Sequence, residues 1–150
     1  MDFYITKEEV VKSLNHTLGV VEKRQTLPIL SNVLIAVDDR SLKLTATDLE
    51  SEISTTSTIS NFKSGGKTTA PARKLNDLCR LLPDLTEIHL FLDGDNLKIE
   101  TESGKYNIST LPSEDFPVFE LEEAKSQINI SSKNLKSIIS NTSFAMGNQD

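Results

Sequence analysis

Apolar residues at Val10, Val11, Leu14, Leu18 and Val21 recur every three or four positions, the spacing that lines one face of a helix. Thr6-Lys7-Glu8-Glu9 just ahead of them has the hydroxyl-x-x-Glu form of a capping box, in which the two side chains satisfy orphan amides. A helix is therefore predicted from about Lys7 to Val20, after a short strand over residues 2–6. A second stripe, Leu75, Leu78, Cys79 and Leu82, predicts another helix. Pro71-Ala72-Arg73-Lys74 opens it, since proline suits a first turn, and Pro83 stops it.

The remaining pattern reads as strands. Ile29 to Val37 is an apolar run rich in branched residues; Leu42, Leu44 and Ala46 alternate with polar neighbours; Leu49 to Ser60 is rich in Thr, Ser and Ile. Ser64-Gly65-Gly66 is a loop, and Thr68-Thr69-Ala70 leads into the second helix. Ile88, Leu90 and Leu92 form one later strand, Leu97 and Ile99 a second after the turn Asp93-Gly94-Asp95-Asn96, and Tyr106 and Ile108 a third after Ser103-Gly104. The first 110 or so residues thus read as strand–helix–three strands, given twice, an α+β architecture.

A repeat is visible in the sequence as well. Residues 3–17 align without gaps on residues 128–142, matching Phe3 with Ile128, Ile5 with Ile130, Val10 with Leu135, Leu14 with Ile139 and Thr17 with Thr142. Both segments read as strand, hydroxyl cap and amphipathic helix. The Pro- and acid-rich stretch from Leu111 to Lys125 reads as a linker. Residues 1–125 are expected to form one domain and 126–150 to begin a second of the same design, in a truncated chain.

Composition narrows the classes. With 37% hydrophobic residues the chain can fill a modest core, and no apolar run approaches the ~20 residues of a membrane helix. No basic and apolar leader precedes the first strand, and the single cysteine, Cys79, suits a reducing cytoplasm. The net charge of -6 argues against generic nucleic-acid binding unless the cations gather on one face. No nucleophile–base pair, phosphate-binding glycine loop or metal-ligand spacing is present, so neither catalysis nor a cofactor is expected. Asp48, Glu50 and Glu52 alternate along the predicted strand and would be the site of a competing metal-dependent hydrolase; a solvated outer face is the simpler reading. His16 and His89 stand isolated, and Cys79 sits in an apolar stripe as a small core residue.

Five motifs in register carry a resemblance: Thr26-Leu27-Pro28-Ile29-Leu30, Thr47-Asp48-Leu49-Glu50, Pro71-Ala72-Arg73-Lys74, Ser109-Thr110-Leu111-Pro112 and Asp115-Phe116-Pro117. With Phe144-Ala145-Met146 and Gln149-Asp150 beyond them, the chain resembles the bacterial DNA sliding clamp family, the beta subunits of DNA polymerase III. The resemblance implies a DNA-clamp fold, with paired helices on one face and antiparallel sheets on the other. It implies a non-catalytic processivity subunit: a ring-shaped homodimer around double-stranded DNA, bound without regard to sequence. It further implies that the polymerase III catalytic subunit and the clamp loader bind through later domains.

The resemblance also assigns residues. Arg24, beside Lys23 in the loop after the first helix, matches a DNA-contacting arginine; Arg73 matches a position facing DNA; Gln149 matches a DNA-contacting glutamine of the second domain. A guanidinium suits phosphate because it can bond two oxygens at once. Lys74, Leu78, Leu82, Lys105, Tyr106 and Ile108 match positions at the dimer interface, with ordinary core as the competing reading for Leu78 and Leu82. Lys12 and Arg80 are further helical cations that can simply be solvated.

Overall fold

The computed structural model describes residues 1–21, 27–119 and 126–146. Two compact units divide the chain, Met1–Phe119 and Glu120–Asp150, and their boundary falls inside the linker-like stretch.

The first unit runs β1 (Asp2–Thr6), α1 (Lys7–Thr17), β2 (Asn32–Asp38), β3 (Ser41–Thr47), β4 (Glu52–Thr58), β5 (Asn61–Ser64), β6 (Gly66–Pro71), α2 (Ala72–Leu81), β7 (Glu87–Asp93), β8 (Asn96–Thr101) and β9 (Gly104–Ser109). The strands form two antiparallel sheets, ordered β5-β1-β7-β8-β9 and β4-β3-β2-β6. The helices α1 and α2 pack side by side, α1 also against β3 and β4, and α2 against β2 and β6. One core joins all of these: Phe3, Ile5, Leu14, Leu44, Leu75, Ile88 and Ile99 are each almost fully withdrawn from water. Each such side chain contributes roughly 1.5–3 kcal/mol of burial.

Several expectations change in detail. The first helix becomes a 3₁₀ turn from Leu18 to Val20, so its α-helical part ends at Thr17. Thr6 takes the N-cap position but its side chain caps nothing. Instead the Lys7 amide donates to the Thr86 carbonyl (2.9 Å), and the Glu8 carboxylate is used by the Leu85 amide (2.8 Å). Pro28–Ser31 forms a 3₁₀ turn, and the strand begins only at Asn32. The strand expected from Leu49 begins at Glu52, because Asp48–Ser51 is a turn that its own side chains close. Asp48 Oδ1 accepts from the amides of Glu50 and Ser51, and Thr47 Oγ1 from that of Leu49. Asn61–Ser64, of which only Ser64 was expected to be loop, forms β5 on the edge of the first sheet.

In the second unit α3 (Ser132–Thr142) is followed by a 3₁₀ turn over Ser143–Ala145. Shifted by 125 positions, these are the limits of α1 and its 3₁₀ turn. The hydrogen bonds repeat too: Thr17 Oγ1 donates to the carbonyls of Ser13 and Leu14, and Thr142 Oγ1 to those of Ile138 and Ile139. The predicted hydroxyl cap is Ser131, which accepts from the Asn134 amide at 3.3 Å. The strand expected at Ile128–Ile130 does not form, and Ile128 is 87% exposed. A helix closes its own ladder, whereas a strand needs a neighbour to close it.

Candidate nucleic-acid interface

The two helices of the first unit bury Val10, Leu14, Leu75 and Cys79 and turn their other faces to solvent. The exposed charged residues of those helices are Lys12, Arg73, Lys74 and Arg80 against Glu8 and Asp77. With the half-buried Lys7 and Glu9 included, the helix pair carries five cations against three carboxylates in a chain of net charge -6. Such segregation creates a local positive field despite an acidic total.

Arg73 is placed by the first turn of α2, where a cation opposes the helix dipole. Its Nη2 donates a 2.6 Å hydrogen bond to the carbonyl of Val21, the residue that ends the helical segment after α1. The guanidinium therefore ties α2 to the start of the connection that carries Arg24. One of five N–H donors is used in this bond, and the others make no hydrogen bond among the described residues. Arg24 itself and Gln149 lie outside the described residues.

The six residues matched to an interface part into two groups. Lys74 and Lys105 are exposed, Leu78 is half-buried, and Tyr106 is 37% exposed on β9, an edge strand bonded on one side only. Leu82 and Ile108, by contrast, are 4% and 1% exposed inside the core, which for Leu82 is the competing core reading and for Ile108 replaces the exposed interface side chain that was expected. The reason for Ile108 is its register: it lies opposite Leu97 on the inner face of the sheet. Lys105 is not free either, since its Nζ bonds Glu100 Oε1 at 2.8 Å and holds that carboxyl below its ordinary range.

The acidic triplet does not make a site. Asp48 and Glu50 belong to a turn and only Glu52 to a strand, so the three do not share a strand face. Among the described residues no group of three potential ligands could hold a metal ion. The Asp48 carboxyl lies below its usual value because it accepts the backbone amides of Ser51 and Glu50, a structural use. Cys79 is fully buried, and burial pushes its thiol up to about 12, which suits a core residue and no nucleophile.

His89 was expected to be isolated and is not. Its Nε2 lies 2.7 Å from Asp2 Oδ1, its ring stacks on Tyr4 with centroids 4.2 Å apart, and Phe91 tilts against it at 4.8 Å. Lys63 sits over the Tyr4 ring at 4.8 Å. This row crosses the outer face of the first sheet. Only the pairing of β1 with β7 assembles it, since Tyr4 and His89 are cross-strand partners far apart in sequence.

The first unit is thus an α+β domain whose helix pair exposes more cations than carboxylates. The chain belongs to the DNA polymerase III beta subunit family, whose N-terminal domain profile matches residues 1–122. It is 40% identical to the beta sliding clamp of Pseudomonas aeruginosa and 36% identical to that of Escherichia coli, each over all 150 residues. Both alignments cover 41% of the relative, so the chain spans about two fifths of their length. The crystal structure of the Pseudomonas aeruginosa clamp bound to griselimycin superposes with a TM-score of 0.95 over the whole chain and 41% of that structure, at 40% identity. The polymerase III beta subunit of Caulobacter crescentus superposes with a TM-score of 0.94 at 34% identity, over the whole chain and 40% of its own. The expected DNA-clamp fold is thereby established.

Proposed function

We propose that this chain forms part of a sliding clamp, a non-catalytic ring that surrounds duplex DNA and tethers the replicative polymerase. The observation that carries the reading is the charge on the helix pair, four exposed cations against two exposed carboxylates in a chain of net charge -6. Phosphate contacts of this kind are independent of sequence and weaken steeply with salt. Retention then comes from ring closure, while the acidic remainder of the surface keeps DNA from other faces.

The repeat supports the assignment of two contact residues. Carried past the matching 3₁₀ turns, the shift of 125 positions sets Arg24 against Gln149. Equivalent positions of successive units would thus both present side chains able to bond phosphate. Arg73 adds a second guanidinium beside the base of the Arg24 connection. In this reading Lys74, Leu78, Lys105 and Tyr106 join the first domain of one protomer to the last domain of another, closing a homodimer. The polymerase catalytic subunit and the clamp loader engage later domains, and the setting is the cytoplasm. No described helix is long and apolar enough to cross a membrane.

The test is loading onto primed circular DNA by the full-length protein. Arg24→Ala combined with Arg73→Ala lowers loading alike on all sequences, with each arginine removing about one unit from the salt slope of binding. Equal loading by variant and parent at low salt sinks the proposal.

A further inference from the structure

One end of the second sheet is buried on both faces. Val33, Ile35, Leu44 and Ala46 belong to the main core. Asn32, Thr45, Thr47 and Thr69 alternate with them in register and so occupy the opposite face, yet each is 3% exposed or less.

The segment that follows β9 spans this end. Leu111 bridges Thr69 on β6, Ser113–Asp115 forms a 3₁₀ turn packed against β6, and the Phe119 amide donates to Glu52 of β4 at 3.0 Å. The strands β6 and β4 are the two edges of the sheet. Glu52 pairs with Thr47 and so shares the face of Thr69. Both anchoring side chains therefore point away from the core, and Leu111–Phe119 is a strap laid across that face.

Two kinds of interaction hold it. Phe116 is its single buried residue, at 4% exposure, and stands apart from the main core. The rest is hydrogen bonding. The Leu111 carbonyl accepts from the Thr69 amide at 3.2 Å and from the Thr69 hydroxyl at 3.0 Å, and Asn32 Nδ2 donates to that hydroxyl at 2.9 Å. Water can take over each of these bonds once the strap lifts. Pro112 and Pro117 bracket the turn and stiffen it. One apolar anchor over a polar bed lets a stiff segment open locally while the core stays closed.

We propose that Leu111–Phe119 is a latch, with Phe116 as its positioning residue and Thr69 as its catch. Docked, it makes the connection to the second unit begin after Phe119; lifted, it makes that connection begin after Thr110. The consequence rests on the clamp reading. In a closed ring, stiff connections keep the two halves of an interface facing each other. A longer free connection lowers the effective concentration at which they meet. The docked latch therefore holds a ring shut, and the lifted latch eases its opening.

The test uses the full-length protein. Phe116→Ala is expected to speed amide exchange at Thr69, whose N–H points at Leu111, roughly tenfold or more, while the amides of β2 stay protected. The same variant is expected to leave nicked circular DNA several-fold faster than the parent. Thr69→Cys with Leu111→Cys, added to Phe116→Ala, sets two thiols on opposed residues of an antiparallel bridge, within reach of a disulfide. Oxidised, this triple variant should regain the parent's half-life on the circle; reduced with dithiothreitol, it should not. Faster exchange throughout β2 would make Phe116 an ordinary core residue and overturn the latch. Unchanged exchange at Thr69, equal retention of parent and Phe116→Ala, or an oxidised triple variant lost as quickly as the reduced one would overturn it as well. A parent lost from circles as fast as from linear DNA would instead overturn the clamp reading, and the latch's role with it.

Discussion

The Arg73 guanidinium donates to the Val21 carbonyl across 2.6 Å, joining the first turn of α2 to the end of the helical segment that follows α1. Val21 is buried at 2% exposure, so its carbonyl has few competing partners. Charged hydrogen bonds of this kind contribute about 1–2 kcal/mol when partly exposed. Arg73→Ala should therefore lower stability by about 1 kcal/mol in urea unfolding, in addition to its effect on DNA. Arg73→Gln keeps a donor without the charge. It should recover part of the stability but none of the salt slope, and recovery of both would show that no phosphate contact is involved.

Cys79 gives a signature at alkaline pH. Its folded thiol lies at about 12, raised by burial, against an ordinary value of 9.0. For a raised pKa the contribution to stability is complete below the unfolded value and is lost as pH climbs through the folded one. Between pH 9 and about 12 the unfolded chain releases a proton that the folded chain keeps. This lowers stability by up to about 1.4 kcal/mol per pH unit. Cys79→Ala should lack that part of the alkaline decline when both proteins are unfolded in parallel from pH 8 upward. Identical alkaline slopes would place the thiol in contact with water.

What the sequence made legible follows from which interactions are local. The stripes of α1 and α2 were readable because Val10 and Leu14, or Leu75 and Cys79, fix a face by spacing alone. The internal repeat was readable for the same reason, and its helix formed where predicted while its strand did not. Turns closed by side chains were not readable as turns: Thr47 and Asp48 cap the amides of Leu49, Glu50 and Ser51 inside what looked like one long strand. Strand β5 was missed because all four of its residues are exposed, leaving no alternation to see. For the candidate sites, residue type could nominate Arg73, but burial separates Tyr106 from Ile108 on one strand face, and burial is set by neighbours the sequence does not order.

Lys7 links the start of α1 to the end of α2. Its Nζ donates to the Leu82 carbonyl at 2.6 Å and to Asp84 at 2.7 Å. The hydrogen bond from Lys7 holds the Asp84 carboxyl below its ordinary value. A depressed carboxylate contributes stability above its unfolded pKa, and that contribution disappears as pH falls through the folded one. Asp84→Asn should therefore destabilise at neutral pH and match the parent once the pH is below the folded pKa. Lys7→Met should cost more than Asp84→Asn, because it also strips the Leu82 carbonyl of its donor. Equal costs, measured by thermal unfolding at neutral pH, would mean that the carbonyl bond contributes nothing.

Leu85 offers a stabilising substitution and a check on the geometry of the α2–β7 connection. Its φ of 60 is imposed from outside: the Lys7 amide holds Thr86, the Lys7 ammonium holds Asp84, and Glu8 holds the Leu85 amide itself. A left-handed residue with a Cβ costs roughly 1–2 kcal/mol, and asparagine tolerates it better than leucine. At 85% exposure the side chain contributes almost no burial to offset that cost. Leu85→Asn should therefore stabilise the chain by about 0.5–1 kcal/mol, raising Tm by about 3 °C. Leu85→Pro, whose φ is locked near -65°, should instead destabilise by about 3 kcal/mol or more and break the amide bond to Glu8. A neutral or destabilising asparagine would mean that the leucine is held by contacts beyond those of α1.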